Sequence, residues 1–196
     1  MDETVLRAMQ RWPNVPAVFG WLQLDRRGNW LVKTVGGKFE RIVNPAMIEF
    51  VNRNYVHDDN GRWYFQNGPQ RVFVTLEYTP WVYRLDRTAA AFTTHTGLPA
   101  QALRGLFLDE FDRLLLETEL GIGVVSDRDL PAVLEQLSPP TGTSIEATLL
   151  VVADGEEVPV RLFGRDVAIA PIRSQEVAER FHFNPRPTPA PGQPDC

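Results

Sequence analysis

The stretch from Tyr55 to Val74, YVHDDNGRWYFQNGPQRVFV, holds the densest collection of chemically capable side chains in the sequence. A histidine next to carboxylates could act as a general acid or base that one of the carboxylates orients. An arginine could bind a carboxylate or a phosphate through its two-pronged guanidinium group. The candidate ligand-binding residues are His57, Asp58, Asp59, Arg62, Gln66, Asn67, Gln70 and Arg71.

The same stretch also has the composition of ordinary turns, so two interpretations stay open. DDNG at 58–61 and NGPQ at 67–70 are typical turn sequences, because Asp, Asn, Gly and Pro suit turn geometry without any ligand. Adjacent residues on an extended chain point to opposite sides. Asp59 or a more distant carboxylate would therefore orient His57 better than Asp58.

The sequence contains none of the familiar motifs for metals, nucleotides or nucleophilic catalysis. Its three histidines, His57, His95 and His182, are far apart and show neither H-x-x-x-H nor H-E-x-x-H spacing. Cys196 is the single cysteine, so neither an intrachain disulfide nor a multi-thiolate site can form. Walker A, G-x-G-x-x-G and G-x-S-x-G patterns are also missing. We therefore predict no cofactor and no metal.

One segment suggests a nucleic-acid alternative. RVFVTLEY at 71–78 resembles the central strand of an RNA-recognition domain, with basic and aromatic residues at Arg71, Phe73 and Tyr78. The glycines of that motif are missing, and Glu77 would repel phosphate groups. We expect Phe73 and Trp63 to lie in the core, which leaves RNA or single-stranded nucleic-acid binding by an aromatic sheet face as an alternative.

Composition limits the class of protein and its partners. The chain has 196 residues, of which 43% are hydrophobic, enough for a real core. The net charge of -5 argues against general binding to nucleic acid or anionic membranes, since both need a surplus of basic groups. The halves differ: residues 1–98 carry 12 Lys and Arg against 9 Asp and Glu, and residues 99–196 carry 8 against 16.

From the first residues and the hydropathy we expect no targeting signal, and the choice of basic residues is typical of bacterial proteins. The first residues, MDETVLRAMQRW, do not form a signal peptide, and no apolar run approaches the roughly 18 residues of a membrane span. Eighteen of the 20 basic residues are arginines, which is typical of a GC-rich genome. We expect a soluble bacterial protein of the cytoplasm that does not associate with membranes.

The elements that would position these side chains follow one another as hairpins and short helices. Helices are predicted at 2–11, 44–54, 126–137 and 174–181, from capping residues and apolar periodicity. Strands are predicted in hairpins at 20–34 and 105–118, in a meander at 55–85, and at 146–172 as a hairpin about ADGE followed by another strand. The order predicts an α+β fold with antiparallel sheets built from successive hairpins and about four short helices.

The domain organisation follows the same division of the chain. We expect an aromatic-rich α+β part at 1–98 and a second α+β part at 99–183, either separate or continuous with the first. Residues 184–196 are rich in proline and should form a disordered tail. The hairpins at 20–34 and 105–118 share an outline, an apolar strand ending in Leu-Asp, a charged turn, and an apolar strand ending in Thr. A duplicated subdomain is one explanation for this similarity.

Three segments together carry a resemblance to a known family. These are NYVHDDNGRWYFQNGPQRVFVTLEYTPWVYR, MQRWPNVPAVFGWLQLDRRGNW and PIRSQEVAERFHF. With them the chain resembles, over about residues 1–183, a family of uncharacterised proteobacterial proteins defined as a domain of unknown function. The resemblance implies a cytoplasmic bacterial protein of similar size, and it assigns no catalytic residue.

Three functions are compatible with these observations. The favoured one is a non-catalytic interaction or regulatory protein that binds a protein partner or a small anionic ligand through the turns between Tyr55 and Arg71. The first alternative is an enzyme with His57 as acid or base and Arg71 as an anion clamp, and the second is the nucleic-acid binder. Convergence of His57 and Arg71 in one pocket would favour ligand binding or catalysis, whereas an exposed apolar patch would favour a protein partner.

Overall fold

The computed structural model describes residues 1–12, 15–139 and 142–189, and within them it shows an α+β protein with five helices and two mixed sheets. The chain forms two compact units. The first consists of Met1–Pro80 and the described residues from His182, and the second is Trp81–Phe181. These units do not coincide with the ranges 1–98 and 99–183, and the division into independent domains stays a prediction.

The first unit contains a six-stranded sheet and two helices. Its strand order is β3-β2-β1-β6-β5-β4, and all neighbours are antiparallel except β1 and β6, which are parallel. The elements are α1 (Glu3–Arg11), β1 (Val18–Leu24), β2 (Trp30–Lys33), β3 (Phe39–Arg41), α2 (Pro45–Arg53), β4 (Tyr55–His57), β5 (Trp63–Asn67) and β6 (Gln70–Leu76).

Helix α2 covers one face of this sheet because its start is well capped and its inner side is aromatic. The Asn44 side chain accepts a hydrogen bond from the Met47 N–H at 3.2 Å, and Pro45 takes the first helical position, where no N–H is needed. Phe50 packs edge to face on Phe65, with ring centres 5.3 Å apart. The sheet's other face carries a second aromatic cluster of Phe19, Tyr64 and Phe73.

The segment after Phe181 is attached to the first unit. Asn184 donates its N–H to the Gly61 carbonyl at 2.9 Å, and Leu76 donates to the Pro185 carbonyl at 2.8 Å. The side chain of Phe183 is buried. The predicted tail at 184–196 therefore begins with residues that pair with the first unit, while residues 190–196 lie outside the described residues.

The second unit contains a nine-stranded sheet and three helices. Its strand order is β13-β14-β15-β10-β11-β12-β7-β8-β9, with parallel pairs at β10–β15 and β7–β12. The elements are β7 (Trp81–Asp86), β8 (Ala91–Thr94), β9 (Pro99–Ala100), β10 (Leu103–Leu108), β11 (Leu114–Thr118), β12 (Gly121–Val125), α3 (Leu130–Glu135), β13 (Leu137–Ser138), α4 (Ile145–Ala153), β14 (Val158–Leu162), β15 (Arg165–Pro171) and α5 (Val177–Arg180).

The two sheets share one topology over six strands. The order β3-β2-β1-β6-β5-β4 in the first sheet corresponds to β12-β11-β10-β15-β14-β13 in the second, and the strand directions also correspond. A helix follows the third strand in both, α2 in one and α3 in the other. This correspondence supports the duplication that the two similar hairpins suggested.

The predicted fold class is confirmed, with two corrections. The sheets are mixed rather than purely antiparallel, because the last strand of each six-stranded motif returns beside the first and runs parallel to it. The strand expected at the start of 146–172 is wrong, since residues 145–153 form helix α4. Ser144 accepts a hydrogen bond from the Ala147 N–H at 3.1 Å and so caps this helix, and Thr148 and Val152 are buried. Capping and packing together favour the helix over the strand preference of the two valines. The hairpin here is β14–β15.

Candidate functional site

Asp58 organises the turn between β4 and β5. Its Oδ1 accepts hydrogen bonds from the backbone N–H groups of Asn60 and Arg62, both at 3.0 Å, and its Oδ2 accepts from the Arg62 side chain at 2.7–2.8 Å. Burial acts to raise the pKa of Asp58, but the hydrogen bonds and charge of Arg62 outweigh it, so the pKa is lowered. Asp58 and Arg62 thus satisfy each other within the turn.

The same five-residue turn occurs at two other hairpins, which begin at Asp25 and Asp109. In all three the aspartate accepts from the N–H groups two and four residues later, and its own N–H donates to the carbonyl of the fifth residue. The fourth residue has the left-handed conformation that completes such a loop. Its φ is 76° at Gly28, 69° at Gly61 and 59° at Asp112. The recurrence identifies the aspartates as turn residues.

His57 and Asp59 lie at the rim of this turn. His57 is exposed, its Nδ1 lies 3.1 Å from the backbone oxygen of Asp58, and its ring centre lies 4.8 Å from that of Trp63. Asp59 is exposed as well. The imidazole therefore contacts a backbone carbonyl and an indole ring, which do not form the carboxylate-oriented acid–base pair that the sequence suggested.

The other candidate residues surround the turn between β5 and β6. Gln66 is fully buried, and its Nε2 donates to the Gly68 carbonyl at 2.8 Å. The Gln70 side chain donates to the Pro16 carbonyl at 3.2 Å, and Asn67, which is exposed, pairs with Gln70 across the hairpin. The Arg71 guanidinium lies over the Tyr64 ring, 4.9 Å from its centre. These contacts are of the kind that hold a hairpin together.

The structure does not bring His57 and Arg71 together. His57 pairs with Trp63 at one end of β5, and Arg71 pairs with Gln66 at the other end. Their ring contacts are with Trp63 and Tyr64, which are adjacent in β5 and so point to opposite faces of the sheet. A single pocket with both side chains is therefore not formed, and the ligand-binding assignment of the eight residues stays a prediction.

Two of the aromatic residues considered for nucleic-acid stacking, Phe73 and Trp63, are inside the protein, and Tyr78 is half-buried. Phe73 is 3% exposed and Trp63 is 6% exposed, as expected for core residues. Phe73 stacks on Phe19 with ring centres 4.5 Å apart, and the Arg62 guanidinium covers its ring at 4.7 Å. Base stacking needs an open ring face, so this arrangement gives the nucleic-acid alternative no support.

The second unit has a cleft of about 570 Å³ at the ends of the parallel strands β10 and β15. The Asp109 carboxylate accepts hydrogen bonds from backbone N–H groups of its own turn. Glu110 accepts hydrogen bonds from the Ser174 N–H at 2.8 Å and from the Ser174 hydroxyl at 2.6 Å. These hydrogen bonds lower the pKa of Glu110. Among residues 1–12, 15–139 and 142–189, no group of His, Cys, Asp or Glu could hold a metal ion. The acidic residues of the cleft are Asp109, Glu110, Asp112, Asp154 and Glu176.

His95 is a buried titratable group whose pKa is strongly changed by its surroundings. It is buried in the second unit, and its Nδ1 accepts a hydrogen bond from the Val82 N–H at 3.3 Å. Burial, together with the smaller effect of the nearby positive charge of Arg84, lowers the pKa of His95 to about 3. The imidazole is therefore neutral at physiological pH and serves the packing of β7 and β8.

Sequence patterns missed an exposed apolar surface between Val32 and Met47. Val35 is fully exposed, Val43 is 78% exposed, and large parts of the other side chains are open to solvent. The hairpin surface, as we name it, consists of Val32, Val35, Phe39, Val43 and Met47 around the β2–β3 hairpin and the first turn of α2. Val32 pairs with Glu40 and Phe39 pairs with Lys33, so Val32 and Phe39 lie on opposite faces of the hairpin. The Gly36-Gly37 pair between two short β-prone segments was the signal for this hairpin.

Within the described part of the chain, no helix has the length and apolar character needed to cross a membrane.

Comparisons with known proteins give similarity to proteins of unknown function. A crystal structure of a DUF1285 family protein from Silicibacter pomeroyi DSS-3 aligns with a TM-score of 0.49 and 15% identity, over 77% of this chain and 79% of that chain. A DUF1285 family protein from Shewanella baltica OS155 aligns with a TM-score of 0.40 and 15% identity, over 62% of this chain and 92% of that chain. No curated protein matches significantly.

The family resemblance seen in the sequence is confirmed by a match that covers nearly the whole chain. The family model DUF2944, described as "Protein of unknown function (DUF2946)", matches residues 1–188, and the chain therefore belongs to this family.

Proposed function

We propose that this chain is a non-catalytic interaction protein that binds a protein partner through the hairpin surface. The observation that carries the proposal is the exposure of five large apolar side chains within one hairpin and the helix start that follows it. Single exposed apolar residues are common on soluble proteins, but a local group of them is typical of an interaction site. A partner that covered this surface would remove it from water.

The exposure of the apolar side chains contrasts with the contacts of the polar candidate residues. Asp58 and Arg62 form a closed ion pair, Gln70 bonds the backbone, and His57 and Arg71 lie at opposite ends of β5. A catalytic site needs such groups to converge on a reacting atom. The contacts of these residues support a structural role in the hairpins, and so they favour a binding function over catalysis.

The test compares two pairs of exposed residues in pull-down experiments from cells that contain the chain natively. Val35→Ser with Val43→Ser changes the hairpin surface, and Leu150→Ser with Val151→Ser changes exposed residues of α4 as a matched control. Because all four side chains are exposed, each variant should change the free energy of unfolding by less than about 0.5 kcal/mol per substitution.

We expect at least one protein to be captured by the parent and by the α4 variant but not by the hairpin variant. Its binding to the purified chain should show the same order. Equal capture by all three proteins, in cells and after purification, would contradict the proposal.

A further inference from the structure

Strand β3 lies at the outer edge of the first sheet, so part of its backbone groups face away from β2. All three of its residues are exposed. Thr34 donates its N–H to the Lys38 carbonyl and Ile42 donates to the Trp30 carbonyl, both at 2.8 Å. Because hydrogen-bonded and non-hydrogen-bonded pairs alternate in antiparallel strands, Glu40 directs its N–H and carbonyl toward β2. The N–H and carbonyl groups of Phe39 and Arg41 then point to the open side.

In the second unit, the sheet edge that is equivalent to β3 is paired with another strand. Strand β12 occupies the position of β3 in the shared six-strand order. Leu31 and Leu115 lie six residues after the turn aspartates of their hairpins, and they pair with Arg41 and Val124, so Arg41 corresponds to Val124. Val124 pairs with Val82 of β7, which runs parallel to β12. The fold thus accommodates a parallel strand on this edge.

The charges around β3 indicate the chemistry of a complementary segment. Lys33, Lys38 and Arg41 lie on the hairpin with Glu40 as the one acidic residue among residues 32–43. Both lysines of the chain belong to this group. A second copy of the chain would bring the same three cations together, and lysines on edge strands oppose such self-association. An acidic segment would be attracted instead.

We propose that the edge of β3 binds an extended segment of a partner protein, which carries apolar and acidic side chains and pairs in parallel with β3 as β7 pairs with β12. This inference rests on the proposed function, because it specifies how the partner occupies the hairpin surface. The segment's backbone bonds to the Phe39 and Arg41 peptide groups, and its apolar side chains cover Phe39 and Val43.

The probe is a displayed library of random 12-residue peptides, selected on the full chain. Arg41→Pro removes an outward N–H without removing a bond to β2, and Arg41→Ala is the matched control that loses the same charge but keeps the N–H. The selected peptides should alternate apolar with acidic residues. They should bind the Pro variant about tenfold more weakly than the Ala variant, and amide hydrogen exchange at Phe39 and Arg41 should slow when they bind.

A second variant keeps the test decisive if Arg41→Pro does not fold. Lys33→Glu with Lys38→Glu reverses the charge of the hairpin without touching its backbone, and it should weaken the selected peptides at least tenfold. Strand addition would be overturned by peptides that bind the Arg41→Pro and Arg41→Ala variants with equal affinity. It would also be overturned if the peptides slow amide exchange at positions other than Phe39 and Arg41, or if their affinity does not change with Lys33→Glu and Lys38→Glu. If a partner is nevertheless lost with Val35→Ser and Val43→Ser, the proposed function stands and only this mode of binding fails.

Discussion

Asp58 shows at the level of one residue why chemically capable side chains gather between Tyr55 and Arg71. Its carboxylate receives two backbone N–H groups and the Arg62 guanidinium. The equivalent residues Asp25 and Asp109 accept hydrogen bonds from the same two backbone N–H groups of their own turns. A five-residue turn with Asp first and a left-handed fourth residue therefore accounts for Asp58 and Arg62.

Replacement of Asp58 by alanine should destabilise the protein. The variant loses hydrogen bonds to a charged acceptor while Arg62 keeps its charge, and we expect the free energy of unfolding to fall by about 1–3 kcal/mol. Asp59→Ala, at the exposed neighbour in the same turn, should change it by less than about 0.5 kcal/mol. Urea denaturation of both variants measures the difference, and equal stabilities would refute the turn role of Asp58.

The stabilisation from Asp58 should depend on pH in a defined direction. Its pKa is lower in the folded state than the ordinary value of about 3.9, so the charged form favours folding. The contribution is complete above the unfolded pKa and disappears as the pH falls through the lower folded pKa. The stability difference between the parent and Asp58→Asn should thus be full at pH 7 and shrink below about pH 4. Urea titrations across that range check this, with Asp59→Asn as control.

The site residues could be proposed from the sequence, but their contacts could not. Asn44-Pro45 marks the start of α2 by local chemistry alone, and DDNG marks the turn after β4. Whether His57 meets Arg71 depends on which end of β5 each one pairs with. That depends on how the turns on either side of β5 align its neighbouring strands, and residue types alone do not show this alignment.

At the level of elements, the missed features have physical causes. Strand β3 has three exposed residues, so it lacks the alternation of apolar and polar residues that indicates a strand. Helix α4 contains LLVV, whose valines favour a strand, but Ser144 caps its start and Thr148 and Val152 are buried, so capping and packing favour the helix. The parallel pair β1–β6 joins Leu22 to Val74, and such long-range pairing leaves no local sequence signal.

Gly123 is required where β7 packs beside β12. A Cβ atom there would lie 2.6 Å from the Tyr83 ring and 2.8 Å from the Trp81 Cβ. We expect Gly123→Ala to lower the free energy of unfolding by about 1–3 kcal/mol through overpacking. Gly105→Ala in β10 is the control, since its Cβ would meet the Phe107 ring at an ordinary 3.4 Å. Thermal and urea unfolding compare the two, and a Gly123→Ala protein as stable as the control would contradict this packing.

At the level of the whole molecule, residues 182–189 belong to the first unit. A chain that ends at Phe181 loses the buried Phe183 and the bonds from Asn184 and to Pro185. We expect a loss of at least about 3 kcal/mol, as for removal of a buried aromatic side chain. A chain that ends at Pro189 keeps these contacts and should unfold like the parent. If both shortened chains unfold alike, the attachment of this segment is not stabilising.

Because the two sheets share a six-strand topology, the molecule has two equivalent sheet edges, and only one of them is covered by a further strand. In the second unit the edge of β12 is covered by β7, and in the first unit β3 ends the sheet. The hairpin surface lies beside the uncovered edge. This difference between equivalent positions explains why the hairpin of the first unit is where we expect a partner.

The most direct test introduces a photo-crosslinking amino acid at Val43 in the full chain, in cells that contain the chain natively. Leu150, an apolar residue of α4 with similar exposure, is the control position. We expect irradiation to give a discrete adduct with one partner protein from position 43 and none of that adduct from position 150. The same adducts from both positions, or no adduct from position 43 when the protein is folded, would contradict a role of the hairpin surface in binding a partner.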